Sequence, residues 1–289
     1  MQNCRTADRN ICAPGNQISA LFVDIDGTVM KCQQYFDDAE NEFCRLMSLC
    51  GFDPRHARAV FKEVYYGSMP HRGYENHRFA EALAEAYHQI CREKKKRRDK
   101  LITAICTRIG SAPFFKKPEL FNDVLPVLTR ARHNFMIVAV TVGSRDPQKY
   151  KIRQGGLSSV FDDIIITLQE NKPQLVQEFI DDHGVNPHYS LFVGNSVRSD
   201  GSTLTKTNFA YLPLESSLVR PTDEFPVNTG FELFKVNDWP EFEERAINRI
   251  IRRRKVAMTN ESIESNTGAV VKNANTVETA CGGCSDETV

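Results

Sequence analysis

No stretch of this 289-residue chain is apolar enough to cross a membrane. The longest hydrophobic run, residues 135–142, falls far short of the roughly 20 residues a spanning helix needs. The opening residues, MQNCRTADRN, contain no apolar segment of the kind that directs secretion, so the expected location is the cytoplasm. Excess charge is absent as well. With 37 basic and 37 acidic side chains the formal net charge is zero, and nothing global draws the chain to nucleic acid or to an acidic membrane. Basic runs at 94–98 and 252–255 each adjoin a helical pattern and read as solvated faces, so neither nucleic acid nor membrane is an expected partner. The nine cysteines are scattered and odd in number, which suits reduced thiols better than a disulfide framework. Cys281-Gly-Gly-Cys284 has no second pair and no nearby histidine to complete a zinc site. A hydrophobic share of 41% is slightly low for a globular chain and points to polar tails.

What is present centres on residues 20–29, ALFVDIDGTV. Leu21, Phe22 and Val23 are long enough for a buried strand, which then stops on two carboxylates, Asp24 and Asp26. Ionised carboxylates beside an apolar core are costly without a partner, and two of them repel each other. A divalent cation removes that conflict; Mg²⁺ is typically held by one or two carboxylates together with phosphate oxygens. Gly27 allows a tight turn, and Thr28 offers a hydroxyl to a phosphate oxygen. The plain alternative is a strand ending in an Asp-Gly turn.

Taken in order, residues 1–18 read as a flexible polar arm closed off by Pro14 and Gly15. A strand follows at 19–24. From 30 to 116 the apolar residues recur at three- and four-residue steps, giving helices near 36–50, 54–64, 75–92 and 98–109, with Asp53-Pro54 as a start signal. That segment is a helical insertion. Beyond it, FMIVAVTV (135–142) has the continuous apolar character of a central parallel strand. Further strands are expected at 162–167, 191–194 and 209–212, and helices at 125–133, 147–153, 173–182 and 241–255. Strands alternating with helices imply an α/β, Rossmann-like doubly wound parallel sheet with an inserted α-helical cap. The expected division is a core of 19–29 and 117–257, a cap of 30–116, and a disordered polar tail of 258–289.

Asp24-Ile25-Asp26-Gly27-Thr28, with the helical insertion after it, resembles the first motif of the haloacid dehalogenase superfamily, and the likeness covers about residues 19–214. The resemblance implies that Asp24 is the nucleophile toward phosphorus and Asp26 the proton donor to the leaving group. An aspartyl-phosphate splits one hard displacement into two easier ones. The family's second motif is similar to Thr141 at the end of FMIVAV. Its hydroxyl, with the amides of Val142 and Gly143 and the Thr28 hydroxyl, would hold the phosphoryl group; the family often has Asn where Val142 stands. The third motif, a lysine that neutralises phosphate and nucleophile charge, is matched by Lys172, with Lys149 and Lys151 as alternatives. The fourth is matched by Gly194-Asn195 with Asp200, and Asn195 occupies a position where the family usually has Asp. Asp24, the Asp26 carbonyl, Asp200 and Asn195 are thereby implied as ligands of Mg²⁺.

The resemblance implies a Mg²⁺-dependent phosphatase of a small phosphorylated metabolite. A phosphomutase would keep all four motifs, and a non-catalytic binding protein is compatible with Asn195 and Val142. Dehalogenase chemistry needs neither Asp26 nor a metal. Between cap helices, MPHRGYENHRF (69–79) gathers His71, Arg72, Tyr74, His77 and Arg78, either as substrate contacts or as a solvated loop.

Overall fold

The computed structural model describes residues 9–72, 75–215 and 223–277. Its centre is a six-stranded sheet. In chain order the chain forms β1 (Cys12–Ala13), β2 (Gln17–Ile18), β3 (Ala20–Val23) and β4 (Met30–Lys31). Four helices follow: α1 (Gln33–Leu49), α2 (Pro54–Arg72), α3 (Asn76–Glu93) and α4 (Lys100–Ser111). After β5 (Glu119–Leu120) and α5 (Val124–Ala131) come β6 (Met136–Val142), α6 (Arg145–Gln154), β7 (Asp163–Thr167) and α7 (Lys172–His183). The chain continues through β8 (Leu191–Gly194), β9 (Asn208–Tyr211), β10 (Leu233–Lys235), α8 (Trp239–Phe242) and α9 (Asn248–Val277).

The sheet order is β10-β9-β8-β3-β6-β7, and every pairing in it is parallel. This is a Rossmann-like α/β fold. Alternation along β3 explains why it is apolar throughout. Leu21 and Val23 face one core layer with α5, α6 and α8, while Ala20 and Phe22 face the other with α7. From β3 the chain builds outward to β6 on one side and later to β8 on the other. The carboxyl end of β3 is therefore a topological switch point, where open α/β sheets leave a crevice.

Between β4 and β5 the four cap helices bury a core of their own, including Phe43, Met47, Phe61, Phe79, Leu83 and Ile90. Asp53 caps α2 by accepting from the amides of Arg55 and His56 at 3.1 and 3.3 Å. Gly110 brings α4 so close to α3 that a Cβ there would strike the Ala80 backbone. The two passages between core and cap are zipped together, because β4 pairs antiparallel with β5 and Lys31 ion-pairs with Glu119.

Three differences from the sequence expectation have physical reasons. The arm is not loose over residues 9–18: β1 and β2 form a hairpin, and the Arg9 guanidinium holds the Asp162 carboxylate at 2.7 and 2.8 Å and the Phe135 carbonyl at 2.7 Å. Residues 1–8 lie outside the described residues. The last helix runs past residue 257 to Val277, and no proline interrupts it; within it the Thr259 and Ser262 hydroxyls fold back onto the Lys255 and Met258 carbonyls, so these polar side chains do not break the helix. Residues 278–289, with Cys281 and Cys284, lie outside the described residues. A sixth strand, β10, was not expected; three residues give too little alternation to register.

Candidate functional site

Asp24 follows β3 at the switch point and is only 5% exposed. Its Oδ1 accepts from Lys172 Nζ at 2.6 Å, and its Oδ2 from the Thr28 hydroxyl at 2.8 Å. Lys172, the first residue of α7, also donates to Asp200 Oδ1 at 2.5 Å. Asp200 Oδ2 accepts from the Ser196 amide at 2.9 Å. Gly194 makes room for that carboxylate, which any Cβ at 194 would overlap. One buried ammonium thus serves two buried carboxylates, leaving one negative charge over. Burial first, and then the Asp200 charge, push Asp24 up to about 7, against the opposing pull of Lys172 and Thr28. Burial works against the Lys172 ammonium, but Asp200 and Asp24 outweigh it and hold its pKa above the ordinary lysine range.

Asp26 faces elsewhere. Lys151 Nζ donates to its two oxygens at 2.7 and 2.8 Å, and Gln148 Nε2 to Oδ2 at 2.7 Å. The lysines considered for the third motif therefore divide: Lys172 serves Asp24 and Asp200, while Lys151 serves Asp26. Lys149, on the same turn of α6, is exposed and takes no part in these contacts.

Thr141 ends up at the carboxyl end of β6, fully buried, with its hydroxyl lacking a partner among the described residues. The expectation for Gly143 is corrected: its amide donates to the Thr167 carbonyl at 2.7 Å, continuing the β6–β7 ladder, so it is not available to a phosphoryl oxygen. The Val142 carbonyl accepts from Gln148 Nε2 at 3.0 Å. Asn195 is 7% exposed and packs on Gly27, whose φ of +81° and lack of Cβ both matter, because a side chain there would overlap the Asn195 amide. Its Nδ2 also lies 3.5 Å from the Glu215 carbonyl.

Glu215 is a residue the sequence did not single out. Its carboxylate accepts from the Cys32 amide at 3.0 and 3.1 Å and the Gln33 amide at 2.9 Å, capping the cap's first helix from the core. A second tie joins Asn76 at the start of α3 to the Ser144 hydroxyl, 3.0 Å from the Asn76 amide. Between ribbon, cap and core lies a cleft of about 10 Å³, room for about one water, lined by Asp26, Cys32, Tyr35, Phe36, Phe114 and Lys151. Of the expected cap contacts, Arg78 is corrected. It is 2% exposed, lies over the Tyr65 ring and donates to the Tyr65 carbonyl at 2.5 Å, so it braces the cap interior. His77 pairs with Glu75 at 2.8 Å. The side chains of His71, Arg72 and Tyr74 lie outside the described residues. The lone Trp239 donates to the Thr28 carbonyl at 3.2 Å and pins the loop after β3.

Among the described residues no group of three His, Cys, Asp or Glu side chains gathers into a ready-made metal cage. The donor set nevertheless fits a hard divalent cation. Asp24 and Asp200 carry the surplus negative charge, Asn195 has an amide oxygen, and the Asp26 carboxylate is turned to Lys151, so that from Asp26 only the backbone carbonyl implied by the resemblance would serve.

No family model matches the chain, and no curated protein does. Solved structures do. A haloacid dehalogenase-like family hydrolase from Xanthomonas campestris superposes with a TM-score of 0.61 at 22% identity, covering 84% of this chain and 99% of the other. The L-2-haloacid dehalogenase of Xanthobacter autotrophicus superposes with a TM-score of 0.51 at 14% identity, covering 79% and 99%. The protein has the haloacid dehalogenase-like fold, a Rossmann-like core carrying a helical cap.

Proposed function

We propose that this chain is a Mg²⁺-dependent hydrolase of small phosphate monoesters. The observation that carries the reading is the buried clamp of Lys172 on Asp24 and Asp200, beside the unpartnered Thr141 hydroxyl. A carboxylate nucleophile is thereby held at the switch point, with a neutralising ammonium and a free donor for a phosphoryl oxygen.

Asp24 Oδ attacks phosphorus as the ester P–O bond breaks, and Asp26 supplies the proton that the departing alkoxide needs. In the second half, Asp26 takes a proton from the water that attacks the aspartyl-phosphate, which releases phosphate and restores Asp24. Lys172 and the Thr141 hydroxyl neutralise and hold the transferred group throughout. Mg²⁺ held by Asp24, Asp200, Asn195 and the Asp26 carbonyl would offset charge on the phosphoryl oxygens. Lys151 and Gln148 fix where the Asp26 carboxylate rests. The cleft holds little more than a water, so the cap lifts about the β4–β5 ribbon to admit a metabolite and closes to exclude solvent.

The second carboxylate favours this reading over halide displacement, because a departing halide needs no proton. The test is hydrolysis of p-nitrophenyl phosphate with and without Mg²⁺, run beside chloride release from 2-chloropropionate. Mg²⁺-dependent phosphate release is expected. Chloride release without phosphatase activity would instead assign dehalogenase chemistry, and no turnover of either would leave a binding protein on the same fold.

A further inference from the structure

We propose that the far end of the cap docks on an anionic lipid surface, which replaces the sequence expectation of a merely solvated face at 94–98 with no membrane partner. The ends of the cap helices define that face. α1 leaves the core at Gln33, α3 starts at the core through Asn76 and Ser144, and α4 returns to the ribbon. The opposite ends therefore meet away from the site: the turn at Leu49–Cys50, the close of α3 at Glu93, and the start of α4 at Lys100. At about 1.5 Å per residue, α3 carries this end about 27 Å from its contact with Ser144.

Residues 92–100, REKKKRRDK, hold seven basic side chains against two acidic ones, and all nine are exposed. Each acid has its closest partner elsewhere than in the basic run. Glu93 is paired with His56 at 2.6 Å, and Asp99 caps α4 by accepting from the Leu101 amide at 2.7 Å. Lys96 is used internally, lying over the Phe52 ring and reaching the Cys50 carbonyl at 3.4 Å. Arg92, Lys94, Lys95, Arg97, Arg98 and Lys100 form no ion pair among the described residues. Two large apolar side chains project from the same end: Leu49, 80% exposed, and Leu101, 67% exposed. Lys96 ties the two elements together by its bond to Cys50, the neighbour of Leu49.

A basic cluster of this size is attracted to anionic headgroups, and exposed leucines among the charges gain by entering the acyl boundary. Nucleic acid is the poorer fit. Residues 92–101 contain no aromatic side chain to stack on a base, and exposed leucines contribute nothing to phosphate binding. With a net charge of zero for the chain, the attraction belongs to this face alone. Binding there leaves the Asp24 site and the ribbon free on the other end of the cap.

The test is co-sedimentation of the full chain with phosphatidylcholine vesicles, with and without phosphatidylserine, at low and high salt. Binding is expected only to the phosphatidylserine vesicles and only at low salt. Replacing each of Lys94, Lys95, Arg97 and Arg98 by Ala should lower the partition coefficient about fivefold per residue. Leu49→Ser with Leu101→Ser should weaken binding while circular dichroism and thermal melting stay unchanged. Equal binding to neutral vesicles, no binding to either, or an unaltered quadruple variant would overturn the proposal. So would displacement from phosphatidylserine vesicles by a duplex DNA fragment that binds the same face more tightly.

Discussion

Asn195 is the residue at which the site departs most from the pattern it resembles, and its surroundings explain how the difference is accommodated. The amide packs on Gly27 and lies beside the Glu215 carbonyl, contacts a carboxylate would not make favourably. Asn195→Asp adds one negative charge where Asp24 and Asp200 already leave one over. Mg²⁺ required for half-maximal rate should fall about 10–100-fold, with the maximal rate much less affected. A Mg²⁺ titration of activity in both proteins measures this, and superimposable curves would remove Asn195 from the metal's surroundings. At this scale the sequence was most informative for residues fixed by a strand end. Asp24 was singled out from an apolar run that stops on a carboxylate, whereas Thr141 and Asp200 were singled out only through the motifs the chain resembles. The pairing of Lys151 with Asp26 was not legible, because a lysine on a polar helix gives no local sign of the carboxylate it meets across 125 residues. Arg78 misled for the same reason: its polar neighbours suggested solvent, and only packing against Tyr65 reveals the interior.

Among the elements, the ribbon of β4 and β5 and the cap on α1 decide how the cap is seated. Glu215 satisfies amides at the α1 N-terminus that otherwise have no partner within the helix. Glu215→Ala should lower stability by about 1 kcal/mol, as loss of a helix cap typically does. It should also raise KM for p-nitrophenyl phosphate more than it lowers kcat, since the residue seats the cap and touches no reacting atom. An unchanged KM with a lower melting temperature would reduce Glu215 to a purely structural role. The long elements were readable, the four cap helices because periodicity accumulates over several turns and β6 because its apolar run is unbroken. The two-residue strands of the hairpin and the ribbon were not, because their pairing is set by partners about 90 residues away in the ribbon and by a tight turn in the hairpin.

Across the whole molecule, segments distant in sequence are bound to the core by arginines, of which Arg254 is buried and Arg9 and Arg132 are half-buried. Arg254 on α9 donates to the Asn134 carbonyl at 2.6 Å and the Asn10 carbonyl at 3.0 Å, while Arg9 and Arg132 both meet Asp162. Burial pushes the Asp162 carboxyl up, but Arg9, the Ile137 amide and Arg132 outweigh it and hold it below its ordinary value of 3.8. A carboxyl depressed on folding contributes stability above its unfolded pKa and loses it as the pH falls through the lower folded value. Asp162→Asn should therefore cost about 1–2 kcal/mol at pH 7 in chemical denaturation. The gap from wild type should close only below about pH 4. A gap that stays constant from pH 7 to about pH 3 would show that the charge is not what holds the arm. Composition had suggested a loose arm here, since polar residues carry no sign of a distant carboxylate.

The central claim is that Asp24 is the nucleophile, and Asp24→Asn tests it most directly. The amide is nearly isosteric, and it removes a buried charge that the site holds at a cost. With Mg²⁺ present, p-nitrophenyl phosphate hydrolysis should fall by about a thousandfold or more, as it does when a covalent nucleophile is removed. The circular dichroism spectrum should be unchanged. A variant that keeps most of the wild-type kcat would contradict the aspartyl-phosphate mechanism.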